Sequence, residues 1–325
     1  MTPRGCRTFP ARLEEVSYAN EVIAVSANRW LAGSGVVVML WLMPPCVPQA
    51  QPLSAQPRIE RLVLADGESV DGWSVTEGTL EPSSVRARSG RSLLFHILVD
   101  WHGGEAAYPI GWPRCWFKVP EEARDWTRWE RLRFWIYADT SRDELPDTPL
   151  SLLLTTVGPR SNWSRDLPLK KGRWIEFVFP LDDLPGADTV RELKFSISES
   201  RYRDKDIVDF YIDDLELIRY TQPTVTGLQA LASVCFTDEP ALPLMVELLG
   251  LAPGKTAPVN LSLRRHGKPV AQGKAQVPAG RNRVSMSLPA GLTPGEYTVH
   301  AEAGGQVLSA PVRLVDSPWQ KGEAQ

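Results

Sequence analysis

Cysteine is scarce in this chain. Its 325 residues hold four, Cys6, Cys46, Cys115 and Cys235. So scattered a set excludes a zinc knuckle or ribbon, whose ligands come in close pairs, and is too small for a disulfide-built scaffold. Cys115 and Cys235 read as buried free thiols in different domains. Histidine is equally sparse, at four residues. The chain contains no His-Glu-x-x-His, no Gly-x-Ser-x-Gly elbow and no P-loop, so enzymes that carry those signatures are excluded. Neither sign of charge dominates. Lys and Arg number 36 against 39 Asp and Glu, a formal net charge of -3, and nothing in that balance points to a nucleic-acid partner. A spanning apolar run is missing as well: Leu31 to Met43 falls short of the roughly 20 residues a membrane helix needs.

That short apolar run instead suits the middle of an export signal. It follows Arg29 and precedes PPCVPQAQPLSA, a Pro-rich stretch with small residues. A positive flank, a short apolar segment and small residues beyond it are the order a secretory signal requires. Cleavage is expected near Ala50 or Ala55, which makes residues 1–55 signal peptide and N-terminal extension. The mature protein is expected to be secreted, periplasmic or on the cell surface, with no membrane span after signal removal.

What the chain has in quantity is turn formers and tryptophan: 28 Pro, 24 Gly and 12 Trp, nine of the tryptophans between Trp73 and Trp174. Between the turn clusters the apolar period is two. In ERLRFWIYAD, Leu132, Phe134, Ile136 and Ala138 share one face, and Arg131, Arg133, Trp135 and Tyr137 the other. LSLLLTT, RWIEFVFP and ELKFSIS repeat the pattern, and no window has the period of an amphipathic helix. Many short strands between turn signals predict an all-β sandwich or barrel. In VDFYIDDLELI the apolar phase slips by one at Asp213-Asp214, which predicts a bulge or sharp bend there. Residues 58–220 form the first domain on this reading. TQPTVTG, from Thr221, is a linker, and residues 226–316 form a smaller second sandwich, poor in aromatics, with turns at His266-Gly267-Lys268 and Gly304-Gly305.

Three stretches of the first domain carry a family likeness. LADGESVDGW (64–73), SGRSLLFHI (89–97) and DFYIDDLEL (209–217) resemble the opening strand, second strand and acidic final strand of carbohydrate-binding modules with the galactose-binding-like jelly-roll fold. WERLRFWIYAD and KKGRWIEFVFPL fit the strands between. The jelly roll of the complex I intermediate-associated protein type shares much of this pattern. The second domain resembles bacterial immunoglobulin-like modules in general character. The expected architecture is therefore a galactose-binding-like jelly-roll β-sandwich plus a smaller immunoglobulin-like β-sandwich. The resemblance also implies a structural calcium at one edge, with Asp66, Glu68 and Asp214 at the matching positions. The same residues would equally suit a solvated acidic turn. Finally, it implies sugar binding on a sheet face or at its rim.

Flat aromatic rings stack on the C–H faces of pyranoses, and Arg or Asp binds hydroxyls in bidentate fashion. On PRCWFKVP, inward alternation of Cys115, Phe117 and Val119 turns Arg114, Trp116 and Lys118 outward. Candidate carbohydrate contacts are Trp112, Trp116, Arg133, Trp135, Tyr137, Trp163, Tyr202 and His102. Trp163 lies in the polar stretch PRSNWSRD and Tyr202 between two arginines in ESRYRDKD, while Trp112 and His102 belong to a loop punctuated by Gly and Pro. Trp73, Trp126, Trp129 and Trp174 are expected in the core, with Trp101 as core support. The expected function is an exported, non-catalytic protein that binds a polysaccharide or oligosaccharide. One alternative is a structural or adhesive surface protein that uses the jelly roll for protein contacts. The other is a glycan hydrolase working through His102 and Glu105.

Overall fold

A computed structural model describes residues 57–104, 109–157 and 162–318 of the chain. The expected signal segment, Cys6, Cys46 and Glu105 lie outside the described residues. The protein is all-β. The first eleven strands are β1 (Ile59–Ala65), β2 (Trp73–Thr76), β3 (Thr79–Ser83), β4 (Ser92–Leu98), β5 (Arg114–Lys118), β6 (Arg131–Thr140), β7 (Leu150–Thr155), β8 (Asn162–Leu167), β9 (Trp174–Pro180), β10 (Glu192–Ser196) and β11 (Ile207–Tyr220). They form two antiparallel sheets. One has six strands in the order β3-β4-β11-β6-β9, with β1 also paired to β11; the other has five, in the order β2-β5-β10-β7-β8.

The two-residue alternation decides which face of each sheet is dry. Leu132, Phe134, Ile136 and Ala138 of β6 are buried and meet Leu152 and Leu154 of β7 and Leu193 and Phe195 of β10 in one cluster. Phe134 lies edge-on to Phe195, at 5.4 Å between ring centroids. This is the arrangement in which two inner faces interdigitate to make a sandwich core. Cys115, Phe117 and Val119 point into the same core, as the alternation predicts. The bulge at Asp213-Asp214 is present. The pairing of β11 with β6 shifts register between Asp213 and Glu216, and Asp214 has φ 52°, a left-handed backbone. The extra residue re-aims the chain so that apolar side chains on either side of it both reach the core.

The remaining strands are β12 (Thr224–Ala230), β13 (Val234–Phe236), β14 (Ala241–Leu249), β15 (Thr256–Arg265), β16 (Lys268–Pro278), β17 (Gly280–Ser287), β18 (Gly295–Ala303) and β19 (Gln306–Val315). They build a second pair of sheets, β12-β14-β17 and β13-β19-β18-β15-β16. The turn before β16 has His266 and Gly267 at φ 49° and 76°, and the turn before β19 has Gly304 and Gly305 at φ 62° and 78°. Two successive positive φ values are what the tight hairpin turn demands, which is why glycine stands there. The linker is shorter than the composition suggests, because β12 already starts at Thr224. Glu130 ties the two sandwiches together: its carboxylate accepts the Tyr220 and Gly250 N–H groups, each at 2.7 Å. Beside it the buried Arg131 donates to Glu247 at 2.7 Å. Cys115 and Cys235 are buried free thiols, and burial pushes the Cys115 thiol above its ordinary range.

Candidate functional site

The outer face of the six-stranded sheet holds the most aromatic rings. Register places Tyr211, Tyr137 and Trp174 side by side on β11, β6 and β9, and Trp135 opposite Asp213. The expected outward residues Arg133, Trp135 and Tyr137 do lie on this face, but the protein already covers them. The loop between β3 and β4 lays the Arg88 guanidinium 3.6 Å from the Trp135 ring centre and that of Arg86 5.2 Å from the Tyr137 ring centre. Arg88 is anchored by Asp214 at 3.2 Å and by its own N–H to Asp213 at 2.8 Å. Arg133 is taken by Glu216 and, at 4.0 Å, by Glu176. Trp174, expected in the core, is instead part of this outer layer, packed on Tyr137 at 5.8 Å. The layer behaves as a second, smaller packing region capped by arginines.

Two further candidates prove to be core residues. Trp163 is only 6% exposed and packs edge-on against Phe179 at 5.6 Å. Its polar neighbours Asn162 and Ser164 alternate outward, while Arg165 folds back over the indole at 4.0 Å. Tyr202 is 2% exposed and donates its hydroxyl to the Pro149 carbonyl at 2.7 Å. Burial raises its phenol above the ordinary range. The flanking arginines stay at the surface; Arg201 donates to the Thr148 carbonyl at 3.1 Å.

The outer face of the five-stranded sheet is built differently. Burial alternates from Gly111 through Val119, so Trp112, Arg114, Trp116 and Lys118 share the outward side. Trp116 faces Ser74 on β2 and Lys194 on β10. Beyond Lys194 come Leu153 on β7 and Ser164 on β8. The parallel row runs Thr76, Arg114, Ser196, Ser151 and Asp166. Six of these nine side chains are Ser, Thr or Asp; the long ones are Leu153 and, adjoining Trp116, Arg114 and Lys194. Ser151 donates to Asp166 at 2.8 Å. Among the described residues Arg114 donates one long hydrogen bond, 3.4 Å to the Trp112 carbonyl. Trp112 is 53% exposed, with its indole N–H directed to Ser198 Oγ at 3.3 Å. At about 3.3 Å per extended residue the two tryptophans are ~13 Å apart along one line.

Trp112 is positioned by a residue the sequence reading missed. Glu199 is 3% exposed, and its carboxylate accepts the Asp100 N–H at 3.0 Å and the Gly111 N–H at 2.9 Å. Its carbonyl accepts the Trp101 indole N–H at 3.2 Å. One buried carboxylate thereby closes both ends of the loop that precedes Trp112. A Cβ at Gly111 would lie 2.3 Å from Glu77 Oε2, so any larger residue there would have to push the Glu77 carboxylate aside. Trp101, expected as core support, sits at this rim, about one-third exposed. No local pattern distinguishes Glu199 from other surface acids; its partners lie almost a hundred residues away.

His102 is exposed in the same loop, and Asp100 and Asp204 can bring ligand atoms within 4.8 Å of its ring. Lys205 supplies the cation there, at 3.0 Å from Asp100 and 3.8 Å from Asp204. Its hydrogen bond and that of the His102 N–H hold the Asp100 carboxyl below the usual range. The carboxylates named for calcium have other occupations. Asp66 accepts the Glu68 N–H at 3.1 Å, Glu68 accepts the Arg91 N–H at 2.8 Å, and Asp214 holds Arg88. Among the described residues they do not form a three-ligand cluster. A polar pocket of about 600 Å³ opens between the loops after β6 and before β11, with Arg142, Arg203 and Asp206 in its wall. It contains none of the candidate residues.

No family model matches the chain, and no curated protein does. Solved structures with some likeness include carbohydrate-binding modules and glycosidases. A cellulose-specific carbohydrate-binding module, CBM28, is 10% identical over 46% of this chain and 92% of its own, with a TM-score of 0.30. The tandem CBM22 domains of Paenibacillus barcinonensis Xyn10C are 13% identical over 81% of this chain and 87% of theirs, with a TM-score of 0.31. A β-1,2-glucanase from Parabacteroides distasonis is 15% identical over 77% of this chain, with a TM-score of 0.33; the match spans 36% of the glucanase. No helix among the described residues is long and apolar enough to cross a membrane.

Proposed function

We propose that this protein binds a glycan on the outer face of its five-stranded sheet, by stacking and hydrogen bonding and without covalent chemistry. One observation carries the reading. Trp116 is partly exposed on the outward side of β5, opposite Ser74 and Lys194, in line with the exposed Trp112 and with Arg114. A ring at the surface accepts a flat sugar face, and the surrounding donors and acceptors suit its hydroxyls. The proposal takes the jelly-roll resemblance of the first sandwich as its frame. It takes the N-terminal apolar run as an export signal, which places the protein at the cell surface or beyond. His102 is given no catalytic role: its carboxylate neighbours are matched by Lys205.

Retention on a panel of insoluble polysaccharides tests this. Wild type is expected to be retained on at least one glycan, with at least tenfold weaker binding for Trp116→Ala and a smaller loss for Trp112→Ala. Absence of retention on every glycan refutes the reading. A concentration-dependent dimer that is lost in Trp112→Ala would favour the adhesive alternative, for which the exposed Ile110 and Trp112 provide an apolar rim.

A further inference from the structure

We infer that the glycan is acidic, a polymer of uronate residues whose ring carboxylates meet Arg114 and Lys194. This rests on the binding face proposed above and names its substrate class.

The argument is a count of charges. Five charged side chains lie on the outward side of the five-stranded sheet: Arg114 and Lys118 on β5, Glu192 and Lys194 on β10, and Asp166 on β8. Lys118 and Glu192 are direct cross-strand neighbours, so their opposite charges offset one another in the net field, without an ion pair within 4.0 Å among the described residues. Asp166 is on the edge strand, hydrogen-bonded to Ser151. It shares a row with Arg114 but stands three strands away, ~14 Å at the usual strand spacing. Glu77, in the turn after β2, directs its carboxylate to Gly111. Arg114 and Lys194 are left, and among the described residues neither has a carboxylate within 4.0 Å. Both adjoin Trp116. Arg114 is two residues along the same strand, and Lys194 is its partner across the ladder.

The other sheet shows that this arrangement is not the rule in this protein. On the six-stranded face Arg133 has Glu216, Arg88 has Asp214, and His96 has Asp209 at 2.7 Å. A half-buried cation without a counter-ion costs solvation that a ligand anion would recover. Arg also presents a planar fork that matches a carboxylate. A sugar stacked on Trp116 would hold its ring substituents at the height of both cations. The chain's net charge of -3 means that overall attraction does not bring a polyanion to the protein; the field must be local.

Titration calorimetry with the full mature chain tests the inference. The probes are polygalacturonate, dextran sulfate and a neutral β-glucan, all in EDTA. Polygalacturonate is expected to bind best. Its Kd should rise about fivefold in Arg114→Gln and again in Lys194→Gln, the upper range for exposed ion pairs. Arg114→Lys and Lys194→Arg should keep most of the affinity. Lys274→Gln, on an exposed part of the second sandwich, should change nothing. Raising salt from 0.1 M to 1 M shortens the screening length from about 10 to about 3 Å and should weaken polygalacturonate binding. Unchanged thermal midpoints would show that the variants are folded. Binding to neutral glucan alone, binding confined to dextran sulfate, or affinity unmoved by both Gln variants would overturn the acidic assignment while leaving glycan binding intact. Failure to bind any polysaccharide would instead remove the binding face itself.

Discussion

The two outer faces of the first sandwich use the same amino acids for opposite ends. The six-stranded sheet shows Trp135, Tyr137, Trp174 and Tyr211, and closes them with Arg86 and Arg88 from a neighbouring loop. The five-stranded sheet shows Trp116 beside Ser74, Arg114 and Lys194, with Trp112 in line, and among the described residues no guanidinium lies over the Trp116 ring. Aromatic content alone would select the first face. Packing selects the second, because a ring already in contact with a guanidinium has spent its face on the protein. The lesson concerns neighbours: a ring whose face is taken by a guanidinium from a loop is closed, and one without such a contact is left to a ligand.

The sharpest way to break this comparison is to remove one tryptophan from each face. Trp135→Ala is expected to destabilise the fold by about 2–3 kcal/mol, since it empties a half-buried position and removes the ring beneath Arg88. It should leave glycan affinity unchanged. Trp116→Ala should cost under about 1 kcal/mol of stability and most of the glycan affinity. Chemical denaturation and calorimetry on the two variants read both quantities. An equal stability loss from the two would show that the faces are not distinct.

A smaller effect is expected at the rim. Glu199→Ala leaves the Asp100 and Gly111 N–H groups without their acceptor, at a cost of about 1–3 kcal/mol. Acrylamide quenching of Trp112 should increase as the loop loosens, and glycan affinity should fall by several-fold. Glu199→Gln retains an acceptor and should recover part of both. An unchanged quenching profile in the Ala variant would mean that Glu199 does not position Trp112.

The smallest effect concerns the bulge on the closed face. Burial pushes the Asp213 carboxyl up to about 6 from its ordinary 3.8. A carboxyl that holds its proton more tightly when folded makes the fold more stable as pH falls through about 6, and the gain is complete below 3.8. Above that window the buried charge is a liability. The stability difference between wild type and Asp213→Asn is therefore expected to change in favour of wild type between pH 7 and pH 4. Parallel pH profiles for the two proteins would refute this.

Much of the fold was legible residue by residue. The alternation in ERLRFWIYAD identified which side chains of β6 enter the core, and the phase slip at Asp213-Asp214 located the bulge. His266-Gly267 and Gly304-Gly305 marked the hairpin turns. The site was legible only in part. Trp112 and Trp116 are outward as the alternation requires, but Trp163 and Tyr202 were placed by the company they keep in sequence and turned out to be buried. Trp174 went the other way, because its parity follows its pairing with Tyr137 and not its apolar flanks.

The sequence by itself determined the strands, the dry face of each and the positions where the chain must turn, because these depend on periods of two and on single residues with unusual φ. Only the tertiary structure decided which exposed face stays open. That choice rests on contacts between residues far apart in the chain, such as Arg88 on Trp135 and Glu199 on Gly111. Nothing in either local sequence encodes the other, so the difference between a covered ring and an available one appears only once the sheets and loops have packed.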